Sequence, residues 1–178
     1  MTVSVKRPCR KTAGAFLFEV SSCTRKTLLA VALLFCSLAV TAMDTLSLRI
    51  RDQTLELEVA RTEAERERGL MGRCTLRENT GMAFFFNPPE SVGFWMKNTL
   101  INLDIAFVDT TGVVFHTDTM RANSLTLHHS YGLVYVAIEL PQGTWQRLRI
   151  GPGTYFPELD TTKTTSENAL NPKPSRHR

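Results

Sequence analysis

VGFWMKNTLINLDIAFVDTTG, Val92–Gly112, sets two apolar runs around a polar insert, Lys97-Asn98-Thr99, and then carries Asp104 and Asp109. Within it, Leu103–Val108 has strand length, with Leu103, Ile105 and Phe107 on one side and Asp104, Ala106 and Val108 on the other. Asp109-Thr110-Thr111-Gly112 is turn-forming and leads to a second apolar segment, Val113–Thr119, so the unit reads as a β-hairpin. Val92–Met96 reads as another strand, or a strand-like arm, bearing Phe94 and Trp95. No nucleophile–base pair, metal quartet or phosphate loop can be read in the stretch.

Outward toward the C-terminus, Arg121–Ser130 lacks periodicity and reads as a loop. Leu133–Leu140 (LVYVAIEL) is a buried-type strand, and Pro141-Gln142-Gly143 turns the chain into TWQRLRI, room for about two helical turns. Gly151-Pro152-Gly153 is a tight turn before a last short strand, Thr154–Phe156. Outward toward the N-terminus, Gly81–Phe86 (GMAFFF) is a strongly apolar strand stopped by Asn87-Pro88-Pro89. In Thr45–Ala60, Leu46, Leu48 and Ile50, then Leu55, Leu57 and Val59, alternate with polar residues around Arg51-Asp52-Gln53, a half-buried hairpin. Thr62-Glu63-Ala64-Glu65 fits a capping box, so TEAERERGL is a short helix closed by Gly69. The expected fold is mainly β, a β-rich α+β class: a compact, mostly antiparallel sheet, barrel-like or strongly bent, with short helices after the first hairpin and near Gly143.

The chain of 178 residues divides into a leader, 1–42, one foldable domain, 43–159, and a polar tail, 160–178, that buries too little to order. In the leader, Arg25-Lys26 precedes the apolar run Thr27–Leu38, and Val40 and Ala42 are small residues at the −3 and −1 positions of a secretory signal, predicting cleavage after Ala42. An uncleaved N-terminal anchor is the alternative, although Leu28–Ala42 falls short of the ~20 residues that span a bilayer. Bulky Phe35 before Cys36 argues against a lipoprotein. The long stretch ahead of the apolar run fits a translation start near Val20, which a precursor peptide covering Thr2–Phe18 would exclude. Export to the periplasm or beyond follows, with membrane contact only through this segment. The leader holds a surplus of five positive charges, and subtracting it from the net +4 leaves −1 for residues 43–178. The overall basicity therefore carries no nucleic-acid footprint. Cys9, Cys23 and Cys36 lie in the leader, so the mature chain keeps only Cys74, and a single thiol cannot close an intramolecular disulfide.

Eleven basic residues lie between Met43 and Leu159; ten are Arg and one is Lys97. A Lys amine can shift its pKa, act as a base or anchor an anion, whereas an Arg cannot be deprotonated. The bland reading is a stem packed on apolar surface with its head in water. Asn98, Thr99 and Asp104 follow closely enough to share a hydrogen-bond network, in which a structural ion pair is a better account of Asp104 than a catalytic dyad. Met71, Met82, Met96 and Met120 could offer thioethers to copper but lack regular spacing, and His116, His128 and His129 lack a third ligand; no metal and no cofactor is expected. No G-x-S-x-G, H-E-x-x-H, C-x-x-C or Walker loop occurs.

ERERGLMGRCTL, GMAFFF, FWMKNTLINLDIAFVD and IEL followed by QGTWQRLRIGPG together resemble the DUF192 family of uncharacterised bacterial and archaeal proteins, from about Val59 to Phe156. The chain departs from the family pattern at Asn102, where Pro is usual, and at Thr154, where Asp is. The resemblance implies a small β-rich fold, often exported, with no established activity or cofactor. The residues then suggest a non-enzymatic binding module, its surface built from Gly69–Arg73 against Phe94–Thr99. Arg68, Arg73 and Lys97 would supply positive charge, Met71 and Trp95 apolar contact, and Asn98, Thr99 and Asp104 polar groups. That mix suits a small anionic or glycan-like ligand, or a protein partner's loop. The alternatives are an enzyme using Lys97 and Asp104 in acid–base chemistry, and a purely structural block without a ligand.

Overall fold

A computed structural model describes residues 43–163 of the chain, all within one compact unit. The leader and its cleavage site, and residues 164–178, lie outside the described residues. Strands β1 (Thr45–Ile50) and β2 (Gln53–Ala60) form the expected hairpin, with Ile50 opposite Gln53 so that Arg51-Asp52 alone makes the turn. Helix α1 (Glu63–Arg68) then crosses to β3 (Thr80–Glu90), which pairs with β2 in parallel. A two-residue strand β4 (Gly93–Phe94) precedes β5 (Leu103–Val108) and β6 (Val114–Met120). The chain closes with β7 (His128–His129), β8 (Val134–Pro141), helix α2 (Thr144–Leu148) and a 3-10 turn at Pro157–Leu159.

The main sheet has the order β1-β2-β3-β8-β5-β6, and β4 pairs with β7 in a separate small sheet. Apart from β2–β3, the neighbours are antiparallel. Its outer strands, β1 and β6, are not bonded to each other, so of the two expected forms the sheet is the open one and not a barrel.

Both faces of the sheet are covered. One core collects Leu48, Leu55, Leu57, Ala106, Val108, Val136 and Ile138 beneath α2, whose Trp145 and Leu148 are buried there. The second collects Met82, Phe84, Leu103, Ile105, Phe107 and Ala137 beneath Leu70 and Met96. The two sides expected for β5 therefore face two cores, and all six of its residues are buried.

Several expectations need correction. Asn87-Pro88-Pro89 does not end β3; the ladder with β8 shifts register between Phe85 and Glu90, an irregular stretch that does not need the N–H groups proline lacks. Of Val92–Met96 only Gly93 and Phe94 are strand, and they pair with His128-His129 inside the expected loop. Thr154–Phe156 contributes a single bridge, Val113 to Tyr155. Asp160–Lys163, assigned to the polar tail, are held to the domain: the Tyr155 hydroxyl donates to Asp160, and the Thr161 N–H and hydroxyl donate to the Thr110 carbonyl.

Candidate functional site

On the second core's side, α1 and the turn after it lie over β3 and the β4 arm and leave a cavity of about 340 Å³. The roof follows from local sequence. Thr62 accepts a hydrogen bond from the Glu65 N–H, and the Glu65 carboxylate accepts from the Thr62 and Arg61 N–H groups. The Thr62 backbone N–H, then that of Arg61, holds the Glu65 carboxyl below its ordinary value. Gly69 ends the helix at φ +43°, and a Cβ there would stand 3.4 Å from the Phe84 ring, so the helix end presses on the cavity wall.

The arm is clamped to this turn. Asn98, in the left-handed region at φ +59°, accepts the Gly72 N–H on its carbonyl at 2.9 Å. The Thr99 N–H donates back to Met96, and Ser124 accepts the Met96 N–H. Aromatic rings form the wall: Phe94 meets Phe84 edge-on at 5.2 Å and Phe86 at 6.4 Å, while Trp95 stands half exposed at the mouth.

Four of the eight expected site residues line this cavity: Arg68, Met71, Trp95 and Thr99. The other four do not. Arg73 is committed to a two-pronged ion pair with Glu58, both contacts at 2.5 Å. Lys97 is exposed, with Nζ 5.3 Å from the centre of the Trp95 ring, and Asn98 serves the clamp through its backbone. Asp104 alternates to the opposite face of β5, where it accepts from the Thr119 hydroxyl at 2.9 Å and the Gly143 N–H at 2.6 Å. It is a buried fastener between β5 and α2, and forms no ion pair with Lys97.

The residue that sequence reasoning missed is Glu139. It lies in β8 opposite Met82 of β3 and Ile105 of β5, so it shares their face and reaches the cavity floor. It is 5% exposed, and none of the hydrogen bonds or ion pairs among the described residues involves it. Burial alone pushes its carboxyl up to about 8, so at neutral pH it is mostly an uncharged acid, able to donate and accept one hydrogen bond each way. Charges at the rim are Glu63, Arg66, Glu67 and Arg68 on α1 and Glu90 on β3. Arg66 is occupied: its guanidinium donates to the Arg61 and Phe85 carbonyls and rests over the Phe86 ring. Among the described residues no group of three or more His, Cys, Asp or Glu side chains is placed to hold a metal ion.

The sequence pattern of DUF192, described as an uncharacterized ACR, matches residues 46–156. This chain belongs to the DUF192 family. No curated protein matches it. Two solved structures resemble this DUF192 chain. One is from Sinorhizobium meliloti 1021 and is described as a "putative transcription regulator"; it is 30% identical, with a TM-score of 0.60 over 65% of this chain and 92% of that one. The other is a protein of unknown function from Novosphingobium aromaticivorans DSM 12444, 32% identical, with a TM-score of 0.60 over 66% of this chain and 88% of that one. Among the described residues of this DUF192 protein no helix is long and apolar enough to cross a membrane.

Proposed function

We propose that this DUF192 protein is an exported, non-enzymatic binding module that takes a small ligand into the cavity beneath α1. The observation that carries the reading is Glu139, an unpartnered acid on the floor of a hollow walled by Phe84, Phe86 and Phe94 and rimmed by charged side chains. The Glu139 carboxyl reaches the cavity without a partner from the protein, so its hydrogen-bonding capacity is left for a ligand. Aromatic faces with a few converging polar groups are the usual make-up of a small-molecule site. Of the two ligand chemistries suggested by sequence, the glycan-like one gains support and the anionic one loses it. Glu63, Glu67, Glu90 and Glu139 outnumber Arg66 and Arg68 around the cavity, and Lys97 and Arg73 stand outside it. The acid–base alternative also loses support, because Asp104 and Lys97 lie apart. Export rests on the leader sequence.

Nitrogen–proton NMR spectra recorded with a panel of monosaccharides and small cyclic alcohols test the reading. Shifts concentrated on Gly69–Met71, Gly93–Trp95 and Glu139, and weakened by Trp95→Ala, are expected. Shifts scattered over the surface, or none for any compound, would count against a cavity ligand.

A further inference from the structure

The chemistry of the cavity narrows the ligand class, on the basis of the binding reading above. We propose that the ligand carries a protonated amine, held by Glu139 as its counter-ion and by the surrounding aromatic rings. Three observations converge. Glu139 is nineteen-twentieths buried, faces the cavity and has no partner among the described residues, so its position provides for a counter-charge that the chain itself does not supply. The walls are π-faces and edges, Phe84, Phe86, Phe94 and Trp95, a lining that attracts cations through the ring quadrupole. Two cations already sit on rings of this wall, Arg66 at the rim over Phe86 at 5.1 Å and Lys97 over Trp95 at 5.3 Å.

An ammonium suits the space better than a divalent metal, which would need a shell of six or more oxygens, because no three carboxylates among the described residues are grouped to hold one. The charged groups lining the cavity with Glu139 are those of α1 and Glu90 of β3; Met82 and Ile105 bring none, and Lys97 of the β4 arm stands outside the lining over Trp95. Neither Arg66 nor Arg68 forms an ion pair with Glu139. Capture of a cation would therefore expel the Glu139 proton to solvent, and the ammonium would take up the charge left behind.

Cyclohexylammonium and cyclohexanol are ring-sized probes that differ in charge, and the amine stays protonated below its ~10.4 reference value. NMR titration of the protein with each should show the ammonium binding about tenfold more tightly at about pH 8.5. Its affinity should rise at least about tenfold from pH 6 to pH 8.5, as the free carboxyl ionises, while that of cyclohexanol stays level. Glu139→Gln should abolish the difference between the probes. Equal binding of both probes, or a preference that survives Glu139→Gln, would overturn the amine and leave the binding module standing. Silence from both at the cavity would overturn the two readings together. Should Glu139→Gln fail to fold, the pH series on the unaltered protein decides: an ammonium affinity that stays flat contradicts the pairing.

Discussion

Asp104 and Glu139 are both buried carboxylic acids on adjacent central strands, yet their surroundings give them opposite roles. Asp104 has two donors at hydrogen-bond distance and fastens α2 to the sheet; Glu139 has none and opens to the cavity. Asp104→Ala is accordingly expected to leave the Thr119 hydroxyl and Gly143 N–H unmatched and to cost about 2–3 kcal/mol in urea unfolding, with the cavity's ligand response unchanged. Arg73→Ala should cost no more than about 1 kcal/mol by the same measurement, since its pair with Glu58 is about one-third exposed. The alternation of Asp104 with Leu103 and Ile105 was legible in sequence, but which face held the cavity was not, because both faces are apolar. Glu139 did leave a signal. A strand read as buried on both faces, LVYVAIEL, cannot place a glutamate in solvent, so the acid had to be either paired or functional. Lys97 drew notice through composition, yet composition does not say where a side chain stands, and it stands outside the mouth over Trp95.

Among the elements, α1 was the most legible because its signals are local: Thr62 and Glu65 cap its start, and Gly69 ends it. It is also the cavity roof, so its integrity links stability to binding. Thr62→Ala should lower stability by about 1 kcal/mol through the lost cap. Gly69→Ala combines a left-handed φ with a contact on the Phe84 ring, and should both destabilise the domain and alter probe binding, which Thr62→Ala should affect less. Melting curves beside the cyclohexanol titration separate the two effects. The reach of β3 past Asn87-Pro88-Pro89 was not legible, since proline forbids a ladder bond only where the partner strand would require one, and the register shift removes that requirement. The pairing of β4 with β7 was hidden for a similar reason: two residues are too few for a periodic pattern.

For the whole molecule, the mainly β class and the hairpins could be read from alternation, whereas sheet order and closure depend on long-range pairing that no local pattern encodes. The parallel β2–β3 step across α1, and the open edges at β1 and β6, belong to that second kind. Burial of Glu139 has a molecule-wide consequence for stability against pH. The folded carboxyl sits at about 8 and the exposed reference at 4.5, so between these values the folded state binds more protons than the unfolded one. Stability from this group is then fully present below about pH 4.5, falls as the pH rises, and levels off above pH 8. Glu139→Gln should flatten that slope and melt higher than the parent protein near pH 8. The most direct test is carbon-13 NMR of the side-chain carboxyls across a pH titration. A Glu139 midpoint near 8 is the expected result, and a midpoint near the ordinary 4.5 would mean a carboxyl that burial does not perturb or that a cation of the protein already pairs, contradicting the role given to Glu139.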